Sequence, residues 1–347
     1  TAREARRRIG TKEISPVELL ESCIARTEAV NPALNTLVTP CFERAREEAK
    51  DAERDVMDGE PLALLHGLPF GVKDLEATEG VRTTYGSLIY EDNVPDEDQN
   101  SVAQIRANGG VMMGKTNTPE FGAGANTRNR VFGATGNPFD PTLTCAGSSG
   151  GSAVALATGM VPIATGSDYG GSLRTPASFC GVVGFRPSPG TVPSESRVVG
   201  LNPFSVLGPM GRNVGDAALL LAAMTHDDVD DPFGGAIDPD LIEPLEAADP
   251  STLRVAVSED LGCAPVDNNI RRLFGERVNL FRHIFNETQD RDPELGPDLH
   301  RSFEILRSVN FMAAHGERLA NHREKLTPNV ISNTEMGADL SAADVAW

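Results

Sequence analysis

The chain has 347 residues and a formal net charge of −19 at pH 7, and this acidic excess argues against DNA, RNA or an anionic membrane surface as its main partner. Apolar residues make up 39% of the chain, enough for a sizeable core in one large or two smaller domains, and no apolar run reaches the length of a membrane span. The five cysteines are widely scattered without C-x-x-C spacing, which argues against a zinc site or a disulfide framework and predicts a protein of the reducing cytoplasm.

The first part of the chain is predicted to alternate helices with short strands. Residues 15–18 read Ser-Pro-Val-Glu, a capping box with proline at the first helical position, which predicts the start of a helix. Residues 35–38 predict a strand, and residues 42–58 carry helical spacing with charges on the exposed face. The apolar residues 68–72 predict a second strand, which ends at Lys73.

Lys73 is the candidate general base of the chain. A lysine close to the core is partly desolvated, which lowers its pKa and allows the amine to accept a proton. The structural alternative is that Lys73 pairs with Asp74 or with another carboxylate at the strand end, and spacing alone favours that alternative. The six histidines fall in no motif that marks a member of a serine-histidine triad.

Residues 109–116 match the phosphate-loop pattern G-x-x-x-x-G-K-T letter for letter. Such a loop needs a strand before its first glycine and a helix after its lysine. Here residues 101–108 predict a helix, the apolar residues 111–113 predict a strand, and Pro119 argues against a helix that runs straight on from the lysine. The setting therefore argues against nucleotide binding.

Two glycine- and serine-rich loops, residues 147–152 and 166–172, are the most informative segments. Between them, residues 152–159 predict a helix that ends in glycine, and residues 160–165 predict a buried strand. Loops that alternate with regular elements belong to a folded site and not to a flexible linker. Glycine lets the backbone approach a bound atom, and a serine beside such a loop can attack a carbonyl while N–H groups hold the oxyanion.

Beyond the second loop, helices dominate the prediction. In chain order we expect a helix at 216–224, an acidic surface excursion at 225–250, a strand at 253–257, a helix at 268–285, a loop at 287–297 and a helix at 302–319. This alternation predicts a layered α/β protein in which helices flank a sheet.

The ordered motifs of the chain resemble the amidase signature family. The similarity runs from about His66 to Arg212 and includes residues 71–74, 114–122, 147–152, 170–177, 179–187 and 208–212. The resemblance implies an α/β fold, the amidase-signature fold, with one mixed central β-sheet covered by helices on both faces. It also implies one amidase domain over residues 1–347, with its signature core at about 66–212.

The resemblance implies a Ser–Ser–Lys catalytic triad. Ser172 matches the nucleophile, Ser148 matches the bridging serine, which sits at a cis peptide in the family, and Lys73 matches the neutral base. Lys73 would take the proton of Ser148, which takes that of Ser172, and the reversed relay would protonate the leaving amine.

Further residues are assigned by the same resemblance. The expected oxyanion donors are the backbone N–H groups of Tyr169, Gly170, Gly171 and Ser172. The expected supporting residues are Ser149, Asp168 and Arg174, with the Asp168–Arg174 pair bracing the loop. The expected substrate-pocket residues are Phe121, Gly122 and Asn126. The family usually has other residues at Cys145 and Tyr169, so Tyr169 puts any transfer of substrate preference in doubt.

We therefore predict an amidase that cleaves the C–N bond of a small carboxylic amide through an acyl-enzyme on Ser172, with no metal or organic cofactor and with a homodimer as an open option. One alternative is the glutamine-hydrolysing subunit of a tRNA-dependent amidotransferase, although the stretch from residues 190–194 to 204–208 looks more like free-standing amidases. A second alternative is a non-catalytic binding protein of the same fold. Residues 341–347 look like the start of a helix, and we expect the chain to be a fragment that lacks the C-terminal part of the family domain.

Overall fold

The computed structural model describes residues 1–195, 197–235 and 237–347. The chain forms two compact units, one made of residues 1–244 and 308–340 and the other of residues 245–307 and 341–347. The expectation of one amidase domain over residues 1–347 stays a prediction. Ser196 and Ala236, which fall in the stretch compared with free-standing amidases and in the predicted excursion, lie outside the described residues.

The α-helices of the described chain are α1 (Ala2–Gly10), α2 (Pro16–Leu34), α3 (Phe42–Asp58), α4 (Asn100–Ala107), α5 (Gly150–Ala157), α6 (Arg174–Cys180), α7 (Val214–Met224), α8 (Asn268–Phe281), α9 (Leu299–His322), α10 (Pro328–Ala338) and α11 (Ala342–Ala346). The strands are β1 (Leu37–Pro40), β2 (Pro69–Lys73), β3 (Val111–Thr116), β4 (Arg128–Asn129), β5 (Gly133–Ala134), β6 (Ile163–Asp168), β7 (Val183–Gly184), β8 (Val206–Gly211), β9 (Arg254–Val257) and β10 (Glu287–Asp290). Short 3-10 turns lie at Glu120–Gly122, Pro239–Leu241, Pro250–Thr252, Arg282–Ile284 and Arg323–Lys325.

The larger unit contains a mixed sheet with the strand order β1-β3-β2-β6-β8-β7. Strand β2 lies between β3 and β6 and is parallel to both, whereas β1, β7 and β8 pair antiparallel with their neighbours. A strand with parallel neighbours on both sides is normally buried on both faces, and all five residues of β2 are buried. The sheet therefore delivers Lys73, the last residue of β2, into the interior.

Two apolar cores cover the sheet. One contains buried residues of α2, α3, α5 and α6 and includes Met113, and the other contains buried residues of α1, α4 and α7 and includes Met112. Consecutive residues of a strand point to opposite faces of a sheet, so the assignment of Met112 and Met113 to different cores shows that helices pack on both faces. The predicted α/β fold with a mixed central sheet is confirmed.

The local sequence signals meet different outcomes. Both hydrogen bonds of the capping box at Ser15 are formed, and the helix extends to Leu34. Residues 111–116 form strand β3 directly after helix α4, so the segment that matches a phosphate loop has no such loop. The predicted loop at 287–297 is partly wrong, because residues 287–290 form β10 and pair in parallel with β9. This pairing partner lies far away in sequence, so the polar residues 287–290 gave no local sign of a strand.

The smaller unit contains the β9–β10 pair and helix α8. Its second segment ends with α11, and the Arg301 guanidinium lies 4.1 Å from the centre of the Trp347 ring. Among the described residues of the whole chain, no helix has both the length and the apolar character needed to cross a membrane.

Candidate active site

Lys73 lies at the centre of a cluster of hydroxyl groups. Its Nζ atom is 2.7 Å from Ser148 Oγ, 2.8 Å from Ser149 Oγ and 2.8 Å from Ser167 Oγ. The side chain is fully buried. Within the part of the chain that the structure describes, Lys73 takes part in no ion pair, and the Asp74 carboxylate instead accepts a hydrogen bond from the Thr84 hydroxyl at 2.6 Å. The structural alternative, a pair between Lys73 and Asp74, is therefore not formed.

The electrostatic setting of Lys73 favours its neutral form. Burial lowers the pKa of Lys73 from its ordinary value of 10.5 to about 7, while the negative charges of Glu76 and Asp168 oppose this shift. An amine with a pKa near the ambient pH is partly neutral and can accept a proton in a catalytic step. The geometry and the charge state both suit the role of a general base.

The first serine loop is held close to neighbouring backbone. The Gly147–Ser148 peptide bond is cis, as the resemblance implies. Helix α5 begins at Gly150, where a Cβ atom would lie 2.2 Å from Thr127 Oγ1, and a Cβ atom on Gly151 would lie 2.3 Å from the backbone nitrogen of Asn117. These two positions admit only glycine, so the glycines that suggested a loop near a ligand also serve its packing.

Ser172 is half-buried and lies in the second loop. Its carbonyl oxygen accepts a hydrogen bond from the Ser149 N–H at 3.2 Å, which ties the two loops together. Among the residues that the structure describes, the Ser172 hydroxyl has no hydrogen-bond partner, so the hydrogen bond expected between Ser148 and Ser172 is not formed here. Catalytic hydrogen bonds are often long before substrate binds and tighten in the complex.

Asp168 braces the second loop. Its buried carboxylate accepts hydrogen bonds from the Gly171 N–H at 2.7 Å and the Leu173 N–H at 3.2 Å, and from Arg174 Nε at 3.0 Å. Arg186 lies within 3.2 Å of the same carboxylate. Burial opposes ionisation of Asp168, but the bond from Arg174 and the two N–H groups outweigh it and lower its pKa. The expected bracing pair of Asp168 and Arg174 is thus present in the geometry.

One expected oxyanion donor requires a correction. The Gly171 N–H points to Asp168 and is already used, because the carboxylate of a tight turn captures the N–H three residues later. A donor that is engaged in this way is not available to a developing oxyanion. The remaining candidates in the loop include the N–H groups of Gly170 and Ser172.

The expected pocket residues fall in two places. A Cβ atom on Gly122 would lie 3.5 Å from Ser148 Oγ, so the backbone of the 120–122 turn borders the serine cluster. Phe121 adopts a left-handed conformation with φ of 50°, and its ring stacks on His315 with 4.6 Å between ring centres. Asn126 lines a cavity of about 950 Å³. As far as the chain is described, the lining of this cavity includes none of the three triad residues, so the role of Asn126 stays a prediction.

Sequence reasoning missed two hydroxyls beside Lys73. Ser167 Oγ accepts from Lys73 Nζ, and Thr165 Oγ1 accepts from the Lys73 backbone N–H at 3.0 Å. Both belong to β6, and residues two apart on a strand share a face. The pattern Thr-x-Ser in the strand before the second loop was the available signal. Among the described residues, no group of three or more histidine, cysteine, aspartate or glutamate side chains is placed to hold a metal ion.

Comparison with known protein families gives a match over most of the chain. The family model described as Amidase matches residues 18–332. The chain is 39% identical over 284 residues to the glutamyl-tRNA(Gln) amidotransferase subunit of Thermus thermophilus that carries the letter A, covering 82% of this chain and 58% of that protein. It is 36% identical over 298 residues to an acylamidase of Rhodococcus erythropolis, covering 85% and 62%. The chain thus spans about six tenths of the length of these curated relatives.

Solved structures give a similar picture. A bacterial aryl acylamidase of the amidase signature enzymes family superposes with a TM-score of 0.91 and 29% identity, covering 100% of this chain and 74% of that one. A 6-aminohexanoate cyclic dimer hydrolase complexed with substrate superposes with a TM-score of 0.84 and 28% identity, covering 99% and 73%.

Proposed function

The chain belongs to the amidase signature family, and on this premise we propose that it hydrolyses the C–N bond of a small carboxylic amide to a carboxylate and ammonia or an amine. The observation that carries the proposal is the buried amine of Lys73, which lies within hydrogen-bond distance of Ser148 Oγ in a loop bonded to Ser172. Similarity to an acylamidase and to an aryl acylamidase supports amide chemistry.

The proposed acylation step moves one proton along the triad. Neutral Lys73 takes the proton of Ser148, Ser148 takes that of Ser172, and Ser172 Oγ forms a bond to the carbonyl carbon. The relay then runs backwards and delivers the proton to the amide nitrogen, so that the C–N bond breaks and a neutral amine or ammonia leaves. Water attacks the acyl-enzyme through the same relay, and the carboxylate is released.

The hydrogen bonds around Lys73 support Ser148 as the residue that passes the proton. A neutral amine donates two hydrogen bonds and must accept the third. The Ser149 hydroxyl is within 3.3 Å of the Ser167 carbonyl oxygen and donates to it, so Ser149 can only accept from Lys73. This leaves the Ser148 hydroxyl free to point its proton at the Lys73 lone pair, and a rotation of the Ser172 side chain would complete the relay.

The oxyanion of the tetrahedral intermediate needs preorganised donors. We assign the N–H groups of Gly170 and Ser172 to this task, since the Gly171 N–H is held by Asp168. Loss of one such donor costs about 3–4 kcal/mol of transition-state stabilisation in comparable enzymes. Asp168 acts here as a positioning residue, because it fixes the turn that carries these donors.

Release of ammonia tests the proposal directly. Ammonia is measured for the purified chain with a panel of aliphatic and aromatic amides, without tRNA, ATP or other proteins. A fluorophosphonate probe is applied in parallel, with the Ser172→Ala variant as the control. Ammonia release and labelling that both depend on Ser172 would support the proposal. A chain that stays folded but shows neither would indicate the non-catalytic binding protein.

A second candidate is the glutamine-hydrolysing subunit of a tRNA-dependent amidotransferase. It is supported by the 39% identity to one of the glutamyl-tRNA(Gln) amidotransferase subunits over 82% of this chain. The same assay separates the two candidates. Turnover of glutamine alone, and only after partner subunits and charged tRNA are added, would favour the second candidate over the first.

A further inference from the structure

A buried carboxylate lies behind Lys73, on the side away from the serines of the triad. Glu76 follows β2 by three residues and is buried. Its Oε1 accepts a hydrogen bond from the Thr165 hydroxyl, and its Oε2 accepts one from the Ser101 hydroxyl at 2.8 Å. Thr165 Oγ1 in turn accepts the Lys73 N–H at 3.0 Å. A continuous chain of hydrogen bonds therefore joins the backbone of Lys73 to the Glu76 carboxylate.

The directions of these hydrogen bonds suit an ionised carboxylate. Because Thr165 Oγ1 accepts from the Lys73 N–H, its own proton is free to point at Glu76. Both oxygens of Glu76 then act as acceptors, which is the pattern of a carboxylate and not of a carboxylic acid. Burial raises the pKa of Glu76, while the two hydroxyls and the charges of Lys115 and Lys73 oppose that rise.

The charges around the two groups come from several elements. Lys73 faces Glu76 in the turn after β2 and Asp168 at the end of β6. Glu76 faces Lys115 of β3, whose Nζ donates to the Glu76 carbonyl oxygen and, at 2.8 Å, to the Thr78 hydroxyl. The groups that act on Lys115 besides Glu76 are Asp74, Cys41 and Asp98.

We propose that Glu76 is a positioning residue for Lys73, holding its backbone through Thr165 and placing a buried negative charge beside its amine. The inference rests on the proposed function, because it concerns the base of that reaction. A lysine that is desolvated without any counter-charge becomes too weak a base to draw a proton from a serine. Glu76 keeps the amine of Lys73 basic enough to accept that proton and still neutral enough to do so near pH 7.

The test follows the titration of Lys73 itself. The chain has only five lysines, Lys12, Lys50, Lys73, Lys115 and Lys325, so NMR of the protein with ¹³Cε-labelled lysine gives few signals, and the Lys73 signal is the one lost in Lys73→Met. Removal of a nearby opposite charge lowers a lysine pKa, so Glu76→Gln should move the Lys73 midpoint down by about one pH unit. The acid limb of kcat/KM should move in the same direction.

Two variants make the comparison specific. Glu120 is also buried and also accepts from a serine and a threonine hydroxyl, those of Ser87 and Thr327, yet it is not among the charges that act on Lys73. Glu120→Gln should therefore leave the Lys73 midpoint in place. Glu76→Asp keeps the charge and should restore the midpoint toward that of the unmodified chain.

The outcomes are distinct from those of the functional assay. An unchanged or raised Lys73 midpoint in Glu76→Gln would overturn the proposal. If that variant does not fold, Thr165→Val, which removes the bridging hydroxyl and one donor to Glu76, should lower the midpoint, and a midpoint that stays in place would overturn it. A chain that releases no ammonia from any amide would contradict the proposed function, while the NMR titration would still decide the role of Glu76.

Discussion

The surroundings of Lys73 and Lys115 differ although both lysines are fully buried on neighbouring parallel strands. Burial lowers the pKa of both, to about 7 for Lys73 and about 8 for Lys115. The Lys73 amine meets three serine hydroxyls, whereas the Lys115 amine donates to the Glu76 carbonyl oxygen and to the Thr78 hydroxyl. Burial alone therefore does not distinguish a candidate base from a structural lysine.

The partners decide what each amine can do. A serine hydroxyl can give its proton to a neutral amine, and Ser148 lies in a loop whose backbone is bonded to Ser172. A carbonyl oxygen has no proton to give, so Lys115 can fix the turn after β2 but cannot draw a proton from it. The negative charges of Asp74 and Glu76 act on Lys115 as counter-charges. We infer that Lys73 serves chemistry and Lys115 serves the structure that holds Lys73.

The largest expected effect is on turnover. Lys73→Met removes the proposed base and should lower kcat/KM by about 10⁴-fold or more, the size seen when one member of a catalytic triad is removed. Lys115→Met should keep kcat/KM within about tenfold of the unmodified chain, because it removes no proton acceptor of the relay. Both are measured with the best amide from the panel, at a temperature where circular dichroism shows each variant folded.

A loss of turnover in folded Lys115→Met as large as that in Lys73→Met would contradict the division between the two lysines. It would place Lys115 in the reaction as well.

The second expected effect is on stability and runs in the opposite order. Lys115→Met leaves Asp74 and Glu76 buried without their nearest cation, which should lower the free energy of unfolding by about 3–5 kcal/mol. Lys73→Met leaves three serine hydroxyls that can bond to one another, so the loss should be about 1 kcal/mol or less. Urea unfolding at pH 7 measures both values. A larger loss for Lys73→Met would show that its amine holds the fold together and is not mainly a reactive group.

Much of the site follows from local sequence signals. The apolar run of β2 ends at Lys73, and the two glycine-rich loops carry Ser148 and Ser172 on either side of α5 and β6. These signals are contained within a few residues each, so they can be read without knowledge of the fold. The ordered motifs then indicate the family, and the family implies which of the serines matter.

The contacts between these segments do not follow from local signals. Thr165 and Glu76 are separated by 89 positions and meet only because β2 and β6 are neighbours in the sheet. The capture of the Gly171 N–H by Asp168 depends on the angle of one turn, and the pairing of β10 with β9 depends on a partner far away in the chain. Sheet order and turn geometry are long-range properties, and this is why the second layer of the site was not predicted.

The third expected effect is a pH dependence that separates the two lysines. Only neutral Lys73 can accept a proton, so kcat/KM should rise with pH, with a midpoint near the Lys73 pKa of about 7, and should fall about tenfold for each pH unit below it. The midpoint should stay near 7 in Lys115→Arg, which keeps a positive charge on β3. A flat profile from mildly acid to alkaline pH would remove Lys73 from the rate-determining proton transfer.

The same pKa has a consequence for stability whose sign is fixed. The folded-state pKa of Lys73, about 7, lies below the ordinary value of 10.5, so between these pH values the unfolded chain binds more protons than the folded chain. Stability conferred by the neutral amine therefore rises with pH across this window. Lys73→Met should reduce this slope in urea unfolding measured from pH 7 to pH 10. An unchanged slope would indicate that other groups, Lys115 among them, account for it.

The smallest expected effect distinguishes the serines that surround Lys73. Ser149→Ala removes one acceptor of the Lys73 amine, while its backbone N–H can still bind the Ser172 carbonyl. The loss of one ordinary hydrogen bond, about 0.5–1.5 kcal/mol, corresponds to a fall in kcat/KM of about 3- to 10-fold. Ser148→Ala removes the hydroxyl that passes the proton and should cost about 10³-fold or more. Equal losses in the two variants would mean that Ser149 shares the relay, and the hydrogen bond from its hydroxyl to the Ser167 carbonyl would then have to break during the reaction.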